Sequence, residues 1–119
     1  MSEGNWESVQ SFDLQELRAN FDDAPDVLES IFDIFLEEAP ARVEKIRQGL
    51  ADEDVQAVRE GAHSLANTTG TLQAERALRL ARATESAARD ADLQALHTRG
   101  GMLIQEVDNI LTQIRESRR

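Results

Sequence analysis

The sequence predicts an all-α fold, an antiparallel up-down four-helix bundle with a short N-terminal cap helix. Good helix formers (Ala, Leu, Glu, Arg and Gln) dominate the 119 residues. Aromatic residues make up only 4% of the chain and tyrosine is absent, which argues against a β-sandwich or barrel. Apolar residues also recur every three or four positions along four long segments. Four such amphipathic helices joined by short connections pack best as an antiparallel bundle.

The first long helix is predicted to begin at Pro25 and to continue for about seven turns. Asp22 and Asp23 precede it, and acidic charge there favours a helix N-terminus. Its apolar residues keep their helical phase across Pro40, so we expect one helix with a kink near that proline rather than two helices. The apolar stripe comprises Leu28, Ile31, Phe32, Phe35, Leu36, Ala39, Val43, Ile46 and Leu50.

The same periodicity predicts three more long helices and a short opening helix. The opening helix spans Asp13–Asn20, and Asp52 is the predicted N-cap of the second long helix. The third runs from about Gln73 to Arg89, and the last follows a break at Asp90–Asp92 and ends near Ile114. The residues expected to face inward are Val55, Val58, Ala62, Leu65, Thr69, Ala74, Ala77, Leu78, Ala81, Ala88, Leu93, Leu96, Leu103, Val107, Ile110 and Ile114.

Charge and cysteine content exclude several classes of function. Thirteen basic residues against 23 acidic ones give a net charge of −10, which disfavours nucleic acid and anionic membrane as partners. The absence of cysteine removes disulfides, thiolate metal sites and cysteine nucleophiles. The start of the chain lacks the features of a signal peptide, and no apolar run approaches the roughly 18 residues of a membrane helix. We therefore expect a cytoplasmic monomer without a bound metal, with a tail over residues 1–12 and one domain over residues 13–119.

His63 is the candidate functional residue with the most informative surroundings. It lies about 100° round the second long helix from Ala62, beside solvent rather than in the core. A neutral imidazole is a competent nucleophile, and small neighbouring side chains would leave it open to another protein. Its helical neighbours are Arg59, Glu60, Ala66, Asn67 and Gly70. His97 has no such open rim, and no phosphate loop, metal-ligand spacing or catalytic triad accompanies either histidine.

Three segments together resemble a known family. They are Phe35–Pro40 (FLEEAP), Ala62–Leu65 (AHSL) and Gly70–Ala74 (GTLQA), and Leu80 and Glu85 on the third long helix also fit. The sequence is similar to histidine-containing phosphotransfer (HPt) domains over nearly its whole length. The resemblance implies a four-helix bundle with one phospho-accepting histidine, and the match places that role on His63.

The resemblance also implies the partners and the chemistry. An HPt domain accepts a phosphoryl group from an aspartate of a receiver domain and passes it on, so the expected partners are a receiver domain, a hybrid histidine kinase, or both. The Mg²⁺ and the carboxylates of the reaction belong to the receiver. The resemblance therefore predicts a phosphocarrier rather than an enzyme, with no cofactor of its own.

The sequence departs from the family pattern beside His63, and the departures leave alternatives open. Ala66 stands where the family usually has lysine, Asn67 where it has glycine, and Gln73 where glycine is common. One alternative is therefore a phosphotransfer-impaired module that binds a receiver or kinase. A helical adaptor unrelated to phosphotransfer is a third hypothesis.

A row of arginines on the third long helix offers a substitute for the missing lysine. Arg76, Arg79 and Arg82 recur every three residues on the side opposite the alanines. An ordinary solvated stripe is the favoured interpretation of this row. The functional alternative is that Arg79 lies across from His63 and stabilises the phosphoryl group, since a guanidinium grips phosphate with two parallel hydrogen bonds.

Overall fold

A computed structural model describes residues 6–119, which form one short 3₁₀ turn and five α-helices and contain no strand. The all-α prediction is confirmed. Among these residues no helix is both long and apolar enough to span a membrane. The elements are the 3₁₀ turn Trp6–Ser8, α1 (Leu14–Asn20), α2 (Pro25–Asp52), α3 (Val55–Thr71), α4 (Glu75–Arg89) and α5 (Leu93–Ser117).

Helices α2 to α5 form the bundle, and α1 caps it. Helix α3 packs between α2 and α4, and α5 packs on both α2 and α4, so the four helices enclose one core. The apolar stripes meet in that core, as their spacing predicts. Its largest fully buried side chains include Phe32, Phe35, Leu65, Leu80, Leu103 and Ile110. Leu93, which was expected to face inward, is 41% exposed because it is the first residue of α5, at the end of the bundle.

Helix α2 continues through Pro40, as the unbroken apolar phase predicts. Pro25 occupies the first turn, where the missing N–H costs nothing. The prediction of Asp52 as an N-cap is wrong, because Asp52 is the last residue of α2. Asp54 caps α3 instead, where its side chain accepts a hydrogen bond from the backbone N–H of Ala57.

Three helix connections share one backbone conformation that the sequence did not predict. Glu53, Gln73 and Ala91 each adopt positive φ, at 53°, 58° and 54°. In each case the backbone N–H of the following residue donates a hydrogen bond to the carbonyl five residues before it. This hydrogen bond ends the preceding helix. Glycine usually marks this turn, and no glycine is present at these positions. The turn at Gln73 also explains why α4 begins at Glu75 rather than at residue 73.

The described part of the predicted N-terminal tail, residues 6–12, packs on the bundle; residues 1–5 lie outside the described chain. Trp6 and Phe12 are buried, with 7% and 9% of their surfaces exposed. Arg76 of α4 donates hydrogen bonds to the carbonyl oxygens of Trp6 and Val9 at 3.0 and 3.1 Å. The packed segment therefore begins before residue 13, and the arginine row contributes one member to it.

Glu106 of α5 also binds the segment of residues 6–12. Its carboxylate accepts hydrogen bonds from the Ser11 hydroxyl at 2.8 Å and the Phe12 backbone N–H at 3.0 Å. The guanidinium of Arg76 lies 3.8 Å away, so the charge of this buried carboxylate is compensated. Apart from Thr69, periodicity predicts only apolar residues in the core and gives no sign of this buried acid.

Candidate functional site

The site is built on the antiparallel hairpin of α3 and α4. Ala62 and Leu65 on α3 are fully buried, and this fixes the rotation of the helix so that His63 points outward. On α4 the buried Thr84 sets the adjacent Glu85 at the edge of the helix interface. Packing of the two apolar faces therefore brings a histidine and a carboxylate together from opposite helices.

His63 and Glu85 form a direct hydrogen bond. The distance from Nδ1 of His63 to Oε2 of Glu85 is 2.9 Å. The His63 side chain is 65% exposed, while the Glu85 side chain is only 16% exposed. An ionised carboxylate can only accept a hydrogen bond, so the His63 tautomer that fits this contact carries its proton on Nδ1 and donates a hydrogen bond to Glu85. In the neutral ring the lone pair is then on Nε2, and the side chain that carries it is largely exposed.

The other predicted residues of this surface occupy the exposed ridge of α3. Arg59, Asn67 and Gly70 are exposed, and Ala66 is half-buried against the core. A Cβ built on Gly70 would meet only the side chain of Leu78, at 3.9 Å, so the space around this glycine is open. The rim beside His63 is therefore low, as the small residue types suggested.

Glu60 is engaged with α2 rather than free on the ridge. It accepts hydrogen bonds from Lys45 Nζ at 2.8 Å and from the Gln56 side chain at 3.1 Å. The hydrogen bond from Lys45, then that from Gln56, and the positive charge of Lys45 hold the pKa of Glu60 below its usual value. The negative charge of Glu60 is thus compensated one turn from His63.

An apolar groove runs between α2 and α3 beside the histidine ridge. The residues that line it from α2 are Ile31, Ile34, Phe35 and Glu38, and those that line it from α3 are Asn67, Thr68 and Thr71. Ile34 is 54% exposed, which is unusual for an isoleucine in the middle of a long helix. The apolar periodicity predicts that Ile31 belongs to the inward stripe and gives no sign of this groove.

The structure does not bring Arg79 to His63. Its guanidinium donates to Glu75 at 2.9 Å, one turn earlier on α4. Arg79 also precedes Glu85 by six residues, which is about 9 Å along the helix axis. His97 lies on α5, where its Nε2 is 3.8 Å from Glu53. These positions leave Glu85 as the partner of His63, a role that sequence analysis did not assign to it.

The position of the connection between α3 and α4 could have identified Glu85 as the partner of His63. A tight connection near Gln73 sets α3 and α4 antiparallel, so residues equally distant from it face each other. Glu85 and His63 each stand 11 residues from Ala74, the residue that follows Gln73. Such a register argument needs the position of the turn, and the glycine that normally marks it is missing.

Known proteins share this sequence pattern and this fold. The family model described as Hpt domain matches residues 30–117, well over half of the chain. The crystal structure of histidine-containing phosphotransfer protein B (HptB) from Pseudomonas aeruginosa is similar with a TM-score of 0.75 and 21% sequence identity. The match covers 93% of this chain and 96% of that chain, and at this identity it shows the fold. No curated protein sequence gives a significant match.

The family match includes α3 and α4, the two helices that carry His63 and Glu85. It also extends over most of α2 and nearly all of α5, so it spans the whole four-helix bundle. The chain therefore belongs to the Hpt-domain family of two-component phosphorelay proteins.

Proposed function

We propose that this protein is a phosphorelay intermediate in which Nε2 of His63 accepts a phosphoryl group from the aspartate of a receiver domain and passes it on. The observation that carries the proposal is the hydrogen bond from Nδ1 of His63 to Glu85, which leaves Nε2 as the nucleophilic nitrogen of a largely exposed side chain. No further group of this chain is needed to remove a proton, because the attacking nitrogen carries none.

The transfer step balances on these groups. The Nε2 lone pair of His63 attacks phosphorus, a P–N bond forms, and the P–O bond to the receiver aspartate breaks and returns its carboxylate. The ring becomes cationic during this step, and its Nδ1 proton remains directed at Glu85. The carboxylate of Glu85 therefore stabilises the charge that develops in the transition state. Reversal of the same step delivers the phosphoryl group to a second receiver. The Mg²⁺ that the reaction requires would be held by the receiver.

The surface around His63 fits a protein partner. The low rim at Ala66 and Gly70 admits close approach of another backbone to the imidazole. The groove between α2 and α3 lies one turn away and offers apolar surface at Ile34. We propose that a receiver domain covers both, with Arg59, Glu60 and Asn67 at the edge of the contact. A receiver that is part of a hybrid kinase would use the same face.

A second function, binding without efficient transfer, follows from Ala66. No lysine is available at this position to meet the phosphoryl oxygens, and Asn67 adds bulk beside His63. The Ala66→Lys and Asn67→Gly variants separate the two functions. A working phosphocarrier should change its transfer rate modestly in both variants, whereas a degenerate binding module should gain activity where none was measurable.

Incubation with phosphorylated receivers from the source organism tests the proposal. We expect an acid-labile label on this chain that the His63→Gln variant loses and the matched His97→Gln variant retains. Helix content and melting should be nearly unchanged in both, since the two side chains are exposed. Label that persists in His63→Gln would place the acceptor elsewhere.

A further inference from the structure

The arginines of this protein divide into those with a partner and those without. Of the twelve arginines, seven form side-chain contacts: Arg18, Arg42, Arg47, Arg76, Arg79, Arg99 and Arg118. Two of the remaining five, Arg115 and Arg119, lie at the C-terminal end of the chain. The other three are Arg59, Arg82 and Arg89, which are exposed and form no hydrogen bond or ion pair with the described residues.

These three arginines surround His63. Arg59 precedes His63 by one turn of α3, while Arg82 and Arg89 lie one turn to either side of Glu85 on α4. The contact of His63 with Glu85 and the approach of Gly70 to Leu78 fix the antiparallel register of the two helices. In that register Arg82 lies across from Ala66, and Arg89 lies across from Arg59. Arginines that pair with none of the described residues therefore lie on both sides of the histidine along the two helices.

The missing ion pairs are informative because partners are close by. Arg82 and Arg89 stand three and four residues from Glu85, spacings at which arginine and glutamate commonly pair along a helix. Glu85 instead directs its Oε2 to His63. The chain as a whole carries a net charge of −10, so three uncompensated cations at one place contrast with the rest of the protein.

A phosphoryl group on Nε2 would meet this charge. It adds a charge of about −1.5 to −2 and three strong acceptor oxygens. Glu85 adds a further negative charge on the Nδ1 side of the ring, so the modified site needs cations on the solvent side. A guanidinium supplies both the charge and two parallel donors for phosphate oxygens.

We infer that Arg59, Arg82 and Arg89 form the phosphoryl-binding rim of His63, with Arg82 supplying from α4 the cation that Ala66 does not supply from α3. This inference rests on the proposed function, because it takes His63 as the acceptor. It assigns the stabilising role to Arg82 rather than to Arg79. The pairing of Arg79 with Glu75 and its distance along α4 support that choice.

The test uses phosphoramidate, a small anionic donor that requires no receiver. Nε2 attacks its phosphorus, ammonia leaves, and the same P–N bond forms on the histidine. The rate constant for labelling is compared among the native chain and the Arg59→Gln, Arg82→Gln and Arg89→Gln variants. Arg115→Gln is the matched control, since Arg115 is exposed and forms no hydrogen bond or ion pair through its side chain with the described residues, but lies at the end of α5.

We expect each rim variant to label about two- to fivefold more slowly than the native chain, as expected for loss of one exposed charge contact. Arg115→Gln should match the native rate, and Arg82→Lys should restore part of the loss at Arg82. The difference should shrink at high salt, because exposed charges are screened. Helix content is measured in parallel to show that every variant is folded.

The outcomes separate this inference from the proposed function. Labelling of His63 at equal rates in the rim variants and the Arg115→Gln control would overturn the arginine rim and leave His63 as the acceptor. Absence of label on His63 in the native chain, or label on another residue, would overturn the proposed function itself.

Discussion

At the scale of single residues, the proposed mechanism depends on Glu85, which would determine which nitrogen of His63 is available. Replacing it with glutamine keeps an acceptor for the Nδ1 proton and removes the charge that compensates the cationic ring. A hydrogen bond to a charged group is worth about 1 kcal/mol more than a neutral one, so we expect transfer from a receiver to slow about fivefold in Glu85→Gln. Glu85→Ala should be slower still and should change the tautomer balance of His63, which NMR of the ring nitrogens measures. Unchanged rate and tautomer in both variants would remove Glu85 from the mechanism.

The backbone of Gln73 carries a second prediction at this scale. Its φ of 58° lies in the left-handed region, which costs a side-chain-bearing residue about 1–2 kcal/mol and glycine much less. Glycine loses more chain entropy on folding than glutamine, and this offsets part of the relief of strain. Gln73→Gly should therefore raise the free energy of unfolding by about 0.5–1 kcal/mol, measured by denaturant unfolding. Gln105→Gly is the matched control, since Gln105 is exposed in the middle of α5 and should lose about 1 kcal/mol. A loss at both positions would mean that the turn at Gln73 is not strained.

At the scale of elements, the segment before α1 depends on a buried acid. Glu106 holds Ser11 and Phe12 through two hydrogen bonds and faces Arg76. Truncation of one member of a buried charged pair typically costs about 3 kcal/mol or more, so we expect that loss for Glu106→Ala.

Trp6, the only tryptophan, reports whether the segment remains in place. Its emission should shift to longer wavelength in Glu106→Ala as the segment detaches from the bundle. Glu116→Ala, at an exposed position of the same helix, should change stability by less than about 0.5 kcal/mol and leave the emission unchanged. Native stability and emission in Glu106→Ala would show that the segment is held by its apolar contacts alone.

The elements themselves were largely predictable from the sequence. The period and phase of the apolar residues predict four long helices, including α2 across Pro40, because the burial of one helix face directly determines that spacing. Helix ends were less predictable. The sequence pattern predicts Asp52 as the N-cap of α3, whereas the cap is Asp54. Three of the four residues at positions 51–54 are acidic, and only the geometry of the turn decides between them.

The site was predictable only in part, for a similar reason. The exposure of His63 follows from its offset to the buried face, and that information is local. Its pairing with Glu85 depends on the register between two helices, which the left-handed turn at Gln73 sets without a glycine to mark it. The packing of residues 6–12 on the bundle depends on Glu106, which lies nearly one hundred residues away in the sequence. No local sequence pattern predicts a contact over that separation.

At the scale of the whole molecule, charge is distributed unevenly around the bundle. Residues 1–62 contain 16 acidic and 5 basic side chains, whereas residues 63–119 contain 7 acidic and 8 basic ones. His63 and two of the three rim arginines, Arg82 and Arg89, belong to the second, less acidic part of the sequence. A partner that brings an anionic phosphoryl group to His63 would therefore meet two arginines of that part.

Bulk on the histidine ridge should prevent that partner from docking. Ala66 is half-buried beside the imidazole, so Ala66→Trp should weaken receiver binding by at least about 1 kcal/mol in a titration. Ala19→Trp, on the exposed surface of α1, is the matched control and should bind like the native chain. Equal binding by Ala66→Trp would mean that the partner docks on another face.

The most direct test of the central claim is to identify the nitrogen that carries phosphorus. The protein is labelled with ¹⁵N, phosphorylated by a receiver domain, and examined by NMR for coupling between phosphorus and the ring nitrogens. We predict that phosphorus is bonded to Nε2 of His63 while Nδ1 retains a proton directed at Glu85. Phosphorus on Nδ1 of His63, or on His97, would contradict the account.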